Sequence, residues 1–239
     1  MPVRATSGEA MADPALEAVA GAVLAEIRDG DRLGLGTGRA ASAFIARLGE
    51  RVQQGLRVSG VPTSEASARL ARDAGIELIE LDEGAPLELT VDGADEVAPN
   101  LDLVKGWGGA LVRERIVAVA SARELILVGP EKLVPVLGSR RRLPVEVVPF
   151  ALPLAARLLA PIAGTPTLRR AGGGRPFVTD NGNVILDCAV GPIADPERLE
   201  REIHTVPGVV GTGLFVGIAH TVLVGEPGGV RELRRPDAR

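Results

Sequence analysis

VDGADEVAPNLDLVKGWGGALVRERIVAV, residues 91–119, brings a carboxylate pair (Asp92, Asp95), a lysine among glycines (Lys105) and a helix carrying Glu114 into one short span. The turn Asp92-Gly93-Ala94-Asp95 follows an apolar-leaning run from Leu87 to Val91. Open α/β sheets place ligands where a strand breaks into such a turn. Lys105 lies between the apolar run Leu101 to Val104 and Gly106, Gly108 and Gly109. Glycines there allow backbone N–H groups to approach a ligand closely. If a helix starts near Gly109, the neighbours of Glu114 along its face are Ala110, Leu111, Val117 and Ala118, all apolar. Burial without a full set of partners raises a carboxyl pKa, and such a group is a good general base near neutral pH. A glutamate ion-paired to a nearby basic side chain would give the same pattern.

Outward from this span, strands alternate with helices. Leu33 to Gly36 reads as a strand, Gly36-Thr37-Gly38-Arg39 as a glycine turn and Ala40 to Leu48 as a helix. That order can bind an anion at the helix N-terminus; a tight turn that needs glycine for steric reasons alone reads the same way. The full GxGxxG fingerprint is missing, because Arg39-Ala40-Ala41 follows. A second strand is expected over Leu56 to Val61, a helix capped by Thr63-Ser64-Glu65 to about Ala74, a third strand over Ile76 to Leu81 and another over Glu124 to Val128. Lys132, just beyond that last strand, is either a solvated surface lysine or a ligand group. The alternation predicts an α/β fold, a Rossmann-like mostly parallel sheet flanked by helices.

At Leu143-Pro144-Val145-Glu146-Val147-Val148-Pro149 the pattern changes. A helix near Leu154 to Leu159 precedes strands over Thr165 to Arg170, Phe177 to Thr179 and Val184 to Cys188, with Asn181-Gly182 as a hairpin signal. Asp195-Pro196-Glu197 opens another helix, and strands over Val209 to Val216 and Thr221 to Val224 follow. This predicts a smaller α+β domain of ferredoxin-like type. The expected division is a tail over 1–13, with Asp13-Pro14 opening the first helix, a main domain over 14–142, a small domain over 143–217, and a terminal strand within about 218–239 that rejoins the main domain.

Composition narrows the function. The chain has 239 residues, 46% hydrophobic and 24% charged, and a net charge of -4, which argues against a general nucleic-acid or anionic-membrane binder. No apolar run reaches the ~18 residues of a membrane span, and the N-terminus lacks the apolar core of a signal peptide. The single cysteine, Cys188, allows no intrachain disulfide and fits a reducing cytoplasm. With His204 and His220 as the only histidines, a zinc site is not expected; an Asp-based Mg²⁺ site stays open. A base, two acids, a lysine and an anion-binding turn fit proton transfer next to a carbonyl, where a cation and N–H donors stabilise an enediolate.

The stretch DGADEVAPNLDLVKGWGGALVRERIVA closely resembles the signature of the type A ribose-5-phosphate isomerase family. The resemblance continues in order through GLGTG, PTSEAS, LPVEVVPFA, VTDNGNVILD and PGVVGTGLF and covers nearly the whole chain from about residue 14. It implies cofactor-free interconversion of ribose 5-phosphate and ribulose 5-phosphate in the pentose phosphate pathway, a small lid domain and a homodimer or homotetramer. Carried over by motif, Glu114 shuttles the proton between C1 and C2. Asp92 and Asp95 of the DGAD turn (Asp92, Gly93, Ala94, Asp95) assist ring opening and bind sugar hydroxyls. Lys105, followed by Gly106, Trp107 and Gly108, stabilises the oxyanion, and Thr37, Gly38 and Lys132 hold the substrate and its phosphate.

Three departures from the family pattern stand out. Arg39-Ala40 replaces Ser-Thr in the phosphate turn, exchanging two hydroxyl donors for a guanidinium that can bind phosphate bidentately. Glu17 is expected where many members carry a phosphate-reaching lysine. Trp107 replaces a glycine. Rival readings are an isomerase for another sugar phosphate, a non-catalytic sugar-phosphate-binding regulator and a dinucleotide-dependent oxidoreductase. The regulator would need a DNA-binding segment for which the N-terminal tail leaves no room. The oxidoreductase would need an acid after the second strand, where Val61-Pro62-Thr63 stands.

Overall fold

The computed structural model describes residues 14–81, 86–140 and 142–235. The expected tail over 1–13, Asp13 as a helix cap and Arg141 in the basic run 139–142 lie outside the described residues. In chain order the elements are α1 (Pro14–Leu24), β1 (Arg32–Leu35), α2 (Arg39–Gln53), β2 (Ser59–Pro62), α3 (Glu65–Asp73), β3 (Glu77–Leu78), β4 (Leu89–Gly93), β5 (Glu96–Val97), β6 (Leu103–Val104), α4 (Leu111–Val119) and β7 (Glu124–Val128). Then follow β8 (Leu143–Val147), α5 (Leu152–Ala163), β9 (Pro166–Leu168), β10 (Val184–Cys188), α6 (Pro196–His204), β11 (Val209–Thr212), β12 (Leu214–Phe215), β13 (Thr221–Glu226) and β14 (Gly229–Arg234).

The main sheet runs β3-β2-β1-β4-β7-β13-β14. All its pairings are parallel except β13 with β14. From β1 the chain winds outward to β2 and β3, then returns to the other side of β1 as β4. The strand order therefore reverses between β1 and β4, and a crevice opens beyond their C-terminal ends. Helix α2 exists because Ala41, Phe44, Ile45 and Leu48 recur at helical spacing, and it buries that stripe with Leu33, Leu35, Val91 and Leu127 of the sheet. Helix α3 starts where the Ser64 hydroxyl accepts the Ser67 N–H at 3.0 Å, the expected cap.

The second sheet is antiparallel, in the order β11-β8-β10-β9. With α5 and α6 it forms a β-α-β-β-α-β unit whose spatial order, fourth-first-third-second, is the split βαβ arrangement. A third, three-stranded sheet, β12-β6-β5, joins the two halves: Leu214 and Phe215 pair with Val104 and Leu103. Strand β13 then returns to lie beside β7.

Local extents differ from the sequence pattern for physical reasons. Gly109 has φ +87°, which no helix accommodates, so α4 begins at Leu111. Phe177 to Thr179 makes no regular strand. A single bridge joins Val178 to Val184, and the chain then turns at once: Thr179 N–H donates to Asn183 O at 2.9 Å and its carbonyl accepts Gly182 N–H at 2.9 Å. The second and third strands are shorter than expected, and β3 pairs over two residues at the sheet edge. No helix among the described residues is long and apolar enough to cross a membrane.

Candidate active site

Three strand ends build the crevice. After β1 the chain turns through Gly36, where a Cβ would stand 2.3 Å from Asp92 Oδ1; only glycine fits there. Thr37 N–H donates to that same Oδ1 at 3.0 Å. The Thr37 hydroxyl sits among those of Thr63 (2.7 Å), Ser64 (2.8 Å) and Ser67 (3.1 Å). This turn is thus held by side chains of the β2–α3 connection and of α3, and it ends at Gly38, ahead of a helix with no side-chain cap. The first-turn N–H groups of α2 are left for an anion.

Asp92, the penultimate residue of β4, is fully buried. Its Oδ1 also accepts Gly93 N–H at 2.7 Å, and its Oδ2 lies 3.0 Å from Lys105 Nζ. Lys105 is 2% exposed. Its ammonium donates to Gly93 O at 2.5 Å, stands 3.7 Å from Glu114 Oε2 and lies 5.4 Å from the centroid of the Phe215 ring. Burial works against that charge, but Asp92, Glu114 and Glu124 outweigh it and hold the Lys105 pKa above its ordinary value. Glu114 occupies the buried face of α4, and its Oε2 accepts no hydrogen bond from any described residue. Burial pushes its pKa from 4.5 up to about 8; Lys105 pulls the other way, while Asp92, Asp95 and Glu124 add to the rise.

The resulting cleft, about 190 Å³, is lined by Thr37, Gly38, Arg39, Ala40, Gly93, Ala94, Asp95, Lys105, Gly106, Gly108, Glu114 and Lys132 among the residues expected from sequence. Lys132 ends the short turn Pro130–Lys132 after β7, and Glu131 lines the wall beside it. Two expected residues are placed elsewhere. Asp92 lies behind the wall, its oxygens turned to Thr37, Gly93 and Lys105. Trp107 is 37% exposed, donates its N–H to Asp95 Oδ2 at 2.9 Å and stands 5.6 Å from the Arg169 guanidinium, outside the cleft lining.

Other wall residues were not singled out by sequence: Leu16, Leu127, Val128, Gly129 and Glu131. Leu16 corrects the expectation for α1. It is Leu16 that faces the cleft, whereas Glu17 pairs with Arg47 at 3.6 Å. Helical phase decides this, since adjacent residues point about 100° apart. Glu17 is therefore absent from the cleft lining, and its charge is shared with Arg47. Arg169, from the second sheet, holds the glycine-rich loop in place. Its Nη1 donates to Gly106 O at 2.8 Å and Trp107 O at 3.2 Å, while Asp187 grips Nε at 3.1 Å and Nη2 at 2.5 Å.

This chain is similar throughout to one group of proteins. The family model "Ribose 5-phosphate isomerase A (phosphoriboisomerase A)" matches residues 59–229. Ribose-5-phosphate isomerase A of Roseiflexus sp. (strain RS-1) is 50% identical over 218 residues, 90% of this chain and 94% of that protein. The Thermomicrobium roseum protein of the same name is 50% identical over 210 residues, 87% of this chain and 89% of its own. Among solved structures, a D-ribose-5-phosphate isomerase in complex with phospho-erythronic acid superposes with a TM-score of 0.89 at 38% identity, covering 93% of this chain and 98% of the other. The ribose 5-phosphate isomerase A of Methanocaldococcus jannaschii gives 0.88 at 39%, covering 92% and 98%.

Proposed function

This chain belongs to the ribose 5-phosphate isomerase A family, the aldose–ketose isomerases that interconvert ribose 5-phosphate and ribulose 5-phosphate through an enediolate, and from that premise we propose which of its residues carry the reaction. Glu114 is the base. The observation that supports this is a buried carboxyl facing the cleft, with its pKa raised to about 8 and one oxygen accepting no hydrogen bond from any described residue.

With the open-chain aldose bound, Glu114 takes the proton from C2. The C–H electrons form the C1–C2 double bond, and the charge moves to O1. Lys105, 3.7 Å from the base, stabilises that oxygen as charge develops. Glu114 then returns the proton to C1, the O2 hydroxyl passes its own proton to the O1 oxyanion, and C2 becomes the ketone carbon beside a C1 hydroxyl. Asp95, on the cleft wall, binds sugar hydroxyls and assists ring opening. For Asp92 a different role follows from its burial: it is a positioning residue that aims Lys105 and fixes Thr37. The phosphate is held by the free N–H groups at the start of α2 together with Arg39 and Lys132. Phospho-erythronic acid, the ligand of the related structure, carries both a carboxylate and a phosphate, and it should occupy the same cleft here.

Residues 143–217 act as a small domain that braces the Lys105 loop of the cleft through Arg169. The main domain takes in 14–142 and the returning strands. The chain works in a reducing cytoplasm as a homodimer or homotetramer. Phe150, 98% exposed, with Val148 and Leu154 at 39% each, supplies an apolar surface for a second copy; light scattering would report the mass. The activity is tested by turnover of chelator-treated protein with ribose 5-phosphate. Robust formation of ribulose 5-phosphate is expected, and none from folded protein would overturn the reading and send the search to other sugar phosphates.

A further inference from the structure

The cluster beneath the cleft holds one carboxyl more than the reaction uses. Glu124 opens β7 and is fully buried. It stands in register opposite Thr90, and Ile126 stands opposite Asp92, so Glu124 lies one pleat below Asp92 on the same face. Helix α4 covers that face: Thr90 Oγ1 donates to Val117 O at 3.4 Å and meets Ser121 Oγ at 2.6 Å. The main chain of Glu124 is tied to His220, whose Nδ1 accepts its N–H at 3.0 Å and whose N–H donates to its carbonyl at 3.0 Å. The side chain is not tied. Neither oxygen accepts a hydrogen bond from any described residue, although an unpaired buried carboxyl costs stability. The rest of the strand, Leu125 to Val128, is plain aliphatic core.

The charges of Asp92 from β4, Lys105 from the loop after β6 and Arg115 from α4 act on Glu124, Glu124 acts on Glu114 of α4, and His220, ahead of β13, meets its main chain. Arg115 is already engaged by Glu200 of α6 at 2.7 Å. Lys105 is thus the cation that Asp92 (3.0 Å), Glu114 (3.7 Å) and Glu124 have in common.

Resting on the reading of Glu114 as the base, we propose that Glu124 is a positioning residue of the isomerisation: its buried carboxyl competes with Asp92 and Glu114 for the field of Lys105 and leaves Glu114 incompletely compensated. The consequence is electrostatic. As Glu124 ionises, Glu114 holds its proton more tightly, and the base stays matched to neutral or mildly alkaline solution. Burial pushes Glu124 itself up to about 7, against the pull of Lys105, so its charge appears in that same range.

The test is the pH profile of kcat/KM for ribose 5-phosphate in wild type, Glu124→Gln and Glu124→Leu. Both variants should move the acid limb to lower pH by roughly one unit, the effect of one partly screened interior charge, with KM on the plateau little changed. Leucine leaves no buried amide unsatisfied, so it tests the idea if the glutamine variant folds poorly. An acid limb that superimposes on the wild-type limb in either folded variant overturns the proposal, whatever happens to thermal stability. Glu114→Gln separates the two readings. If that variant is inactive while the Glu124 limb stays in place, only the role of Glu124 falls; if it turns over normally, the base assignment falls.

Discussion

Glu114 Oε2 stands 3.7 Å from Lys105 Nζ, too far for a hydrogen bond and near enough for the charge to be felt. The carboxyl proposed as the base is therefore in the field of the cation without being neutralised by a direct contact. Glu114→Gln keeps the shape and removes the proton acceptor. Its kcat should fall by roughly two to four orders of magnitude, the usual contribution of a general base, with KM within a few-fold of wild type. Steady-state kinetics at saturating substrate check this, and near-normal turnover would remove Glu114 from its role.

Stability should depend on pH with a sign opposite to that of ordinary salt-bridged carboxylates. The folded-state pKa values of Glu114 and Glu124 are raised from 4.5 to about 8 and about 7. Between those limits the folded state binds more protons than the unfolded chain, so these two groups stabilise most below about 4.5 and lose that contribution as pH rises to about 8. Urea midpoints should fall between about pH 5.5 and about pH 8.5, and Glu124→Leu should flatten the decline. A decline equally steep in the variant would show that Glu124 ionises in the folded protein as it does in the unfolded chain.

Arg39 lines the cleft at the start of α2 and supplies the charge of the turn proposed to hold phosphate. Arg39→Ala should raise KM for ribose 5-phosphate by roughly ten- to a hundredfold, the loss of one charge-assisted contact, with kcat changing far less. Such a split marks lost ground-state binding. An unchanged KM would assign the phosphate to the α2 N–H groups and Lys132 alone.

Arg169 reaches the site from the other sheet. Arg169→Ala frees the carbonyls of Gly106 and Trp107 and should lower kcat/KM by about tenfold through a loosened Lys105 loop, since misplacement of reacting groups is costly. Arg169→Lys should not restore it, because an ammonium cannot hold Asp187 bidentately and two carbonyls as well. Full rescue by lysine would mean that charge, not the planar fork, is what matters.

The alternation of strands and helices, the glycine turn after Leu35 and the apolar neighbours of Glu114 were legible because each depends on local period or turn chemistry. The two helices and the outer strands of the smaller unit were legible for the same reason, whereas the strand expected over Phe177 to Thr179 was not confirmed. Arg169 was not, since its partners Gly106 and Trp107 lie on a loop far away in sequence. Leu16 was missed by one residue, an error of helical phase that motif spacing cannot resolve at a helix start. Glu124 reads in sequence as the first residue of an apolar strand; only the register with Thr90 puts it one pleat below Asp92.

The return of β13 to lie beside β7 has a consequence for synthesis. All five residues of β7 are buried, yet their outer neighbour is Thr221–Glu226, made after the whole second sheet. While the ribosome is still adding α6, the nascent sheet ends in an apolar strand with unpaired backbone groups, a template for intermolecular pairing. A chain halted anywhere between β7 and β13 would keep that open edge. Its hazard is aggregation rather than partial activity, and nascent chains stalled at that stage would be the ones chaperones need to shield.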